Sequence, residues 1–147
     1  MVLPPSWLQT TIADICEINP TGSAMGLSRH DAVSFIPMAA VDDAYGEIAT
    51  FEDKLLSEVA KGFTSFAEND VLFAKITPCM ENGKAAIARG LTNQVGFGST
   101  EFHVLRCREA VLPEYIYYFV RQPRFRDIAK RFFTGSGGQQ RVPTDFF

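Results

Sequence analysis

Long apolar runs are absent from this sequence. No stretch of its 147 residues approaches the roughly 18 consecutive apolar residues that a membrane-spanning helix requires. The opening segment, M-V-L-P-P-S-W-L-Q, has no basic region followed by an apolar one, which argues against a secretory signal. With 46% hydrophobic and 21% charged residues, the composition is that of an ordinary globular protein. The length predicts a single domain over residues 1–147.

Cysteine and histidine are also scarce. Cys16, Cys79 and Cys107 are odd in number, widely spaced and without a C-x-x-C pair, which argues against a disulfide framework or a zinc site. They predict reduced thiols and therefore a cytoplasmic protein. His30 and His103 have no neighbours at the spacing of metal ligands, so the sequence predicts neither a metal site nor a cofactor.

The charges are distributed unevenly along the chain. The formal net charge is -3, but residues 1–73 carry three cations and eleven anions, whereas residues 74–147 carry eleven cations and six anions. An excess of basic residues favours contact with an anionic partner, although a solvated surface gives the same count. The second half is therefore where such a partner is expected.

The strongest strand prediction covers residues 70–76, D-V-L-F-A-K-I, which are rich in apolar and β-prone side chains. Residues 84–89 form its natural hairpin partner, with the turn at 81–83, E-N-G, between them. Residues 101–107 alternate between polar and apolar and predict a further strand with its apolar side chains near the core.

Weaker patterns precede these strands. Residues 33–41, which include Pro37, predict an edge strand or a bulge, and residues 48–51 predict a short strand. Between residues 8 and 15, apolar side chains recur at helical spacing. This spacing predicts either a helix or an extended segment pinned by Trp7.

The last third of the chain predicts two helices. Pro113 at a first helical position opens one helix, which Pro123 stops. In the next, apolar side chains at positions 125, 128, 129, 132 and 133 have the spacing of an amphipathic helix whose other face is basic. Together the elements predict an α+β fold, with a twisted, mostly antiparallel sheet and helices at its C-terminal side.

Three motifs suggest catalysis, and two of them fail. The run at 135–138, G-S-G-G, follows a predicted helix where a nucleophile elbow follows a strand, and it does not complete G-x-G-x-x-G. Pro78-Cys79 resembles the nucleophile of cytosine methyltransferases, which need a cofactor-binding α/β domain that this short chain lacks. Glu52-Asp53-Lys54, about ten residues after Asp42-Asp43, has the E-x-K shape of a Mg²⁺-dependent nuclease and stays open as an alternative.

Residues suited to nucleic acid lie in the second half. Lysine and arginine hold phosphates, whereas glutamine and arginine read base edges through paired hydrogen bonds. The glycines at 135–138 equally suit a helix cap and a turn, so the spacing alone leaves both interpretations open. The residues predicted to hold phosphates are Lys75, Lys84, Arg89, Lys130 and Arg131. Those predicted to contact bases are Ser99, Thr100, Gln139, Gln140 and Arg141, with Ser136 of the same loop as a further DNA contact.

Six segments occur in a fixed order along the chain. They are W-L-Q-T-T-I-A-D-I-C-E-I-N, F-I-P-M-A-A-V-D, E-N-D-V-L-F-A-K-I-T-P-C-M-E-N-G-K-A-A-I, G-F-G-S-T-E-F-H-V-L-R, L-P-E-Y-I-Y-Y-F-V and G-S-G-G-Q-Q-R-V-P. In this order they resemble the target recognition domain of type I restriction-modification specificity (S, HsdS) subunits. The resemblance extends over nearly the whole chain.

The resemblance implies a module that binds double-stranded DNA and reads one half of a bipartite target, with loops that enter or span the major groove. It also implies no catalytic residue, because methylation and cleavage belong to methyltransferase (M) and restriction (R) subunits, the expected partners. Family members carry a long spacer helix after each such domain. The chain ends at Phe147, where that helix would begin, so we expect either a shortened form or a half-subunit.

Two alternatives from other classes remain beside this interpretation. One is the small nuclease that uses Glu52 and Lys54. The other is a protein-interaction domain, such as an anti-restriction decoy, that binds the modification subunit and has no affinity for DNA.

Overall fold

Short strands and helices follow one another along residues 2–147, which the computed structural model describes. Their order is α1 (Ile12–Ile15), β1 (Cys16–Ile18), β2 (Ala32–Ile36), β3 (Glu52–Leu55), α2 (Leu56–Val59), β4 (Thr64–Ala67), β5 (Val71–Ala74), β6 (Ala85–Ile87), β7 (Val95–Gly98), β8 (Phe102–Cys107), α3 (Pro113–Val120) and α4 (Pro123–Lys130). None of the helices in this part of the chain is long and apolar enough to cross a membrane.

The strands form two four-stranded sheets. The first sheet has the order β1-β8-β5-β6 and is antiparallel throughout. The second has the order β3-β2-β7-β4, with β2 and β7 parallel and the other neighbours antiparallel. The α+β prediction is confirmed, with its mostly antiparallel pairing, but the strands are divided between two sheets where the sequence pattern indicated one.

The hairpin predicted from residues 70–76 and 84–89 is present as β5 and β6, with Val71 opposite Ile87. Both strands are shorter than predicted, because residues 75–84 form a broad loop in place of a tight turn. Gly83 in this loop has φ +87°, and a Cβ there would lie 2.8 Å from Nη1 of Arg126 on α4. Glycine therefore lets helix α4 approach the hairpin loop closely.

Strand β8 is buried on both faces, contrary to the predicted alternation. Phe102 and Val104 belong to a core between the two sheets, which also contains Phe66 and Leu72. Leu105 belongs to a second core, on the helix side of the first sheet. The first sheet thus lies between the helices and the second sheet, so its central strands need apolar residues on both faces.

Helix α3 begins at Pro113, as predicted, and ends at Val120, before Pro123. Pro123 is also the first residue of α4, a start that the sequence did not predict. Ile116 and Val120 of α3 are buried against the first sheet, together with Ala129 of α4. Helix α4 ends at Lys130, so the apolar residues at 132 and 133 follow the helix and do not extend its apolar face. Phe133 still packs against the same core, whereas Phe132 is 46% exposed.

The N-terminal part departs most from the predictions. Helix α1 spans only Ile12–Ile15, and Trp7 is 66% exposed, so this side chain does not pin the segment. Strand β2 ends before Pro37, where one turn of 3₁₀ helix follows. The strand predicted at 48–51 is wrong, because Ile48 forms only an isolated bridge and β3 begins at Glu52.

Candidate nucleic-acid interface

Three separate segments meet at one end of the first sheet. They are residues 75–77 after β5, residues 99–101 before β8 and residues 137–142 near the C-terminus, and we call this region the loop junction. The Lys75 amide donates to the Glu101 carbonyl at 2.9 Å, and the Thr77 amide donates to the Gln140 carbonyl at 3.0 Å. The Val142 amide donates to the Lys75 carbonyl at 2.9 Å. The junction therefore gathers six of the predicted DNA contacts: Lys75, Ser99, Thr100, Gln139, Gln140 and Arg141.

An ion pair between Glu101 and Arg141 fixes the base of this junction. Arg141 donates through Nη2 to Oε1 at 2.8 Å and through Nε to Oε2 at 2.9 Å, while its Nη1 donates to the Gln139 carbonyl at 2.9 Å. The hydrogen bond from Arg141 lowers the pKa of Glu101, and the same bond raises the pKa of Arg141. A base contact by Arg141 would require this guanidinium to leave Glu101. In the free protein its side chain anchors the loop.

Residues 134–141 form a protruding loop with a closed base. The Thr134 and Arg141 amides donate to each other's carbonyls at 2.9 Å. Between them, Ser136 and Gln139 are exposed and Gln140 is half-buried. Two glycines at 135 and 137 have φ +100° and +59°, which lets the chain turn back within so few residues. The loop therefore presents polar side chains to solvent from a fixed base.

The turn before β8 lies at the same junction. The Ser99 hydroxyl accepts a hydrogen bond from the Glu101 amide at 3.0 Å, so this side chain shapes the turn. Thr100 is exposed beside it. Of the two predicted base contacts here, Thr100 is the one whose side chain faces solvent.

The remaining predicted phosphate contacts lie on other elements. Lys84 Nζ donates to the Met38 carbonyl at 3.2 Å, and Arg89 pairs with Glu114 on α3. That hydrogen bond from Arg89 lowers the pKa of Glu114. At the end of α4, Lys130 pairs with Asp127 at 3.3 Å and Arg131 is exposed. The structure does not bring these four cations into the loop junction.

His103, which the sequence presented only as a candidate metal ligand, is a buried residue beside the loop junction. Its Nε2–H donates to the Val142 carbonyl at 2.6 Å, and its Nδ1 accepts from the Asn19 amide nitrogen at 3.1 Å. The Asn19 oxygen accepts from the Val104 amide at 2.7 Å, which fixes the orientation of the Asn19 side chain and hence the neutral Nε2–H tautomer. Burial lowers the pKa of His103. The only sequence signal for this burial is that position 103 lies between two apolar residues, Phe102 and Val104.

We expect acid to destabilise the protein through His103. Because its folded-state pKa lies below the ordinary value of 6.5, the unfolded chain binds the proton more readily. The free energy of unfolding should then fall by up to about 1.4 kcal/mol per pH unit as the pH drops below 6.5. Urea unfolding between pH 5 and 7.5 measures this slope. His103→Gln should flatten it, whereas the exposed control His30→Gln should not, and an equal slope in both variants would contradict the assignment.

The acidic residues of the nuclease alternative have structural contacts. The Asp42 carboxylate accepts hydrogen bonds from the amides of Ala44 and Tyr45 within its own loop. Glu52 lies 3.8 Å from the ammonium of Lys54, and Asp53 accepts from the Thr92 hydroxyl at 2.7 Å. Across residues 2–147, no group of three or more histidine, cysteine, aspartate or glutamate side chains is arranged to hold a metal ion.

Comparison with known proteins shows which proteins the chain resembles. The type I restriction enzyme EcoAI specificity subunit of Escherichia coli is 41% identical to the chain over 146 residues, and the EcoEI specificity subunit of the same organism is 39% identical. The chain is homologous to type I restriction enzyme specificity subunits. Each alignment covers 99% of this chain and 24% of the relative, so the chain spans about a quarter of these relatives. No protein-family model matches the sequence.

Solved structures show the same fold. A chain from a type I R-M system complex superposes with a TM-score of 0.77 at 18% identity, over 99% of this chain and 37% of the other. The HsdS subunit from Thermoanaerobacter tengcongensis gives a TM-score of 0.69 at 18% identity, over 98% of this chain and 36% of the other. The resemblance read from the six sequence segments is therefore confirmed in both sequence and fold.

Proposed function

We propose that the chain is one target recognition domain of a type I restriction-modification specificity subunit. It binds double-stranded DNA and reads one half of a bipartite target. The observation that carries the proposal is the 41% identity to a specificity subunit over 99% of the chain. In this role the chain catalyses no reaction, and methylation and cleavage belong to the M and R subunits with which it acts in the cytoplasm.

The loop junction supplies a physical basis for reading a sequence. Base recognition needs polar side chains that protrude from a rigid support, because a mobile support would lose the discrimination that paired hydrogen bonds provide. Gln139, Gln140 and Ser136 lie on a loop whose base is closed by backbone hydrogen bonds and by the Glu101–Arg141 ion pair. We therefore propose this loop, together with Thr100, as the principal base-contacting element.

The cations outside the loop junction are proposed to contact the DNA backbone and not the bases. Lys84, Arg89, Lys130 and Arg131 would hold phosphates on either side of the base-contacting loop, without specifying sequence. Three of the four are already paired with protein groups, so each would exchange a protein acceptor for a phosphate oxygen. Lys75, at the junction itself, needs no such exchange.

Selection from a random duplex library tests the readout. The domain should enrich a short sequence, and Gln140→Ala should relax the preference at one or two positions by about 1–3 kcal/mol each, since a lost bidentate contact costs that much. Gln122→Ala, which removes an exposed glutamine at the start of α4, should leave the selected sequence unchanged. An unchanged preference in Gln140→Ala would remove this residue from the readout.

A domain exchange tests the whole proposal. Placed in a specificity subunit that assembles with M subunits, this domain should change one half of the methylated site and leave the other half as it was. Mg²⁺-dependent cutting by the isolated chain would favour the nuclease instead. Binding to M subunits without affinity for DNA at low salt would favour the decoy.

A further inference from the structure

A polar cleft opens between the two sheets, beside the loop junction. Its volume is about 310 Å³, and Phe102, Val104 and Pro20 line its apolar part. We call it the inter-sheet cleft. Its polar lining consists of Asn19, Thr21, Thr64, Ser65 and Lys75. No acidic side chain of the described residues belongs to this lining, so the cleft offers hydrogen-bond donors and one positive charge.

Lys75 brings a positive charge to the cleft, and the Glu101 carboxylate is near enough for this charge to help lower the Glu101 pKa. Among residues 2–147 its ammonium takes part in none of the ion pairs, which join Lys54, Arg89, Arg106, Lys130 and Arg141 to carboxylates. The Lys75 side chain is half-buried. A partly buried ammonium without a partner attracts an anion more strongly than one fully in water.

Strand β4 adds a backbone donor to the same cleft. It is the edge strand of the second sheet, and its register pairs Ser65 with Phe97 and Phe66 with Gly96. The Glu68 amide donates to the Gln94 carbonyl, which continues this register and makes the even-numbered residues of β4 the ones bonded to β7. Ser65 therefore directs its N–H away from β7, as Ala67 does when it donates to the Asp70 carboxylate. The free edge of β4 presents the Ser65 N–H to the cleft.

We propose that the inter-sheet cleft binds a phosphodiester group of the DNA backbone, through the Lys75 ammonium, the Ser65 amide and the hydroxyls of Thr64 and Thr21. Lysine, backbone N–H and threonine hydroxyls are the donors with which proteins position DNA phosphates. This inference rests on the proposed function and adds to it a specific anchor. Because the Lys75 backbone is bonded to Glu101 and Val142, a phosphate in the cleft would fix the DNA strand relative to the base-contacting loop.

Salt dependence of binding tests the anchor. Affinity for a mixed-sequence duplex is measured by fluorescence anisotropy between 50 and 200 mM salt, for the wild type and for Lys75→Ala. Loss of one phosphate contact should reduce the slope of log affinity against log salt by about 0.9. The affinity advantage of the wild type should then shrink by about 3.5-fold over this range. Lys54 lies on β3, which is the edge of the second sheet opposite β4. Lys54→Ala removes the same charge outside the cleft and should keep the wild-type slope.

A proline substitution tests the contribution of the Ser65 backbone N–H separately from that of the Ser65 side chain. Ser65→Pro removes the N–H at a free strand edge, where proline is tolerated, whereas Ser65→Ala keeps it. The proline variant should bind duplex more weakly than the alanine variant, with both checked for folding by thermal unfolding. If Ser65→Pro does not fold, the salt slope of the Lys75 variant alone tests the phosphate anchor. If Lys75→Ala destabilises the domain, Lys75→Met takes its place.

The outcomes separate the two proposals. If the wild type binds no duplex at 50 mM salt, the proposed function fails and the phosphate anchor fails with it. If the wild type binds and folded Lys75→Ala retains the full slope, only the phosphate anchor is overturned. A reduced slope in Lys75→Ala, with the Lys54→Ala slope unchanged, supports it.

Discussion

Phe73→Ala is expected to lower the free energy of unfolding by about 3–5 kcal/mol, the usual cost of removing a buried phenylalanine. Phe73 is 1% exposed and lies in the core between the first sheet and the helices. Its ring packs edge to face against Phe125 of α4 and Phe147, with centroids 5.8 Å apart in both cases. The truncation therefore leaves a cavity and also removes the contacts that hold α4 and the C-terminus on the sheet.

Urea unfolding followed by circular dichroism measures this loss. The control is Trp7→Ala, which removes a larger aromatic side chain that is 66% exposed and should change the stability by no more than about 0.5 kcal/mol. Similar losses in the two variants would mean that the helices are not held through Phe73.

Asp70→Ala should cost a comparable amount, about 3–5 kcal/mol, because it leaves an arginine without its buried counter-ion. The Asp70 carboxylate is 2% exposed and accepts from Nε and Nη2 of Arg106, each at 2.9 Å, and from the Ala67 amide at 2.8 Å. Arg106 also donates to the Ser23 hydroxyl at 3.0 Å. One carboxylate thus joins the β4–β5 turn to β8 and, through Arg106, to the loop after β1.

The matched control is Asp127→Ala. Asp127 forms an exposed pair with Lys130 three residues later, and such pairs contribute about 0.3–0.5 kcal/mol. The double variant Asp70→Leu with Arg106→Met removes both charges and should regain part of the stability that Asp70→Ala loses. If the double variant is as unstable as the sum of the single changes, the cost comes from lost packing and not from the unpaired charge.

Local patterns in the sequence were sufficient for the elements that form by local contacts. The start of α3 follows from Pro113, since proline fixes φ and lacks the N–H that a first helical turn leaves unpaired, and Pro123 marks the break between α3 and α4. The β5–β6 hairpin joins segments that are neighbours in sequence. These features were predicted because the residues that cause them lie within the elements themselves.

The division into two sheets depends on contacts that sequence patterns do not record. Strand β2 pairs in parallel with β7, and the register joins Ser34 to Gly96, although β3, β4, β5 and β6 lie between these two strands in the sequence. Position 96 of β7 must be glycine, because a Cβ there would lie 2.2 Å from the Phe66 ring. Both facts belong to the assembled fold, so single-strand patterns could not supply them.

The candidate interface was predicted in composition but not in arrangement. The sequence identified the Gly-rich loop and the turn at 99–101 as polar segments, and the structure places them together. It did not indicate that Arg141 would be held by Glu101, because these two residues are distant in sequence and meet only where the segments come together at one sheet end. Nor did it indicate which cations of residues 2–147, such as Lys75, take part in no ion pair. Charge counts predict how many cations a region has, and only the fold determines which of them are free.

The closed base of the loop at 134–141 has an evolutionary consequence. The hydrogen bonds between Thr134 and Arg141 and the ion pair to Glu101 carry the stability of this segment, whereas Ser136 to Gly138 are exposed, and a Cβ at Gly138 would meet no atom within 4 Å. Substitutions at Ser136 and Gly138 therefore cost little folding free energy, whereas Gly137, at φ +59°, is constrained to glycine by the turn. If the proposed function holds, a domain built in this way can acquire a new DNA preference through a few changes at these exposed positions, without passing through unstable intermediates.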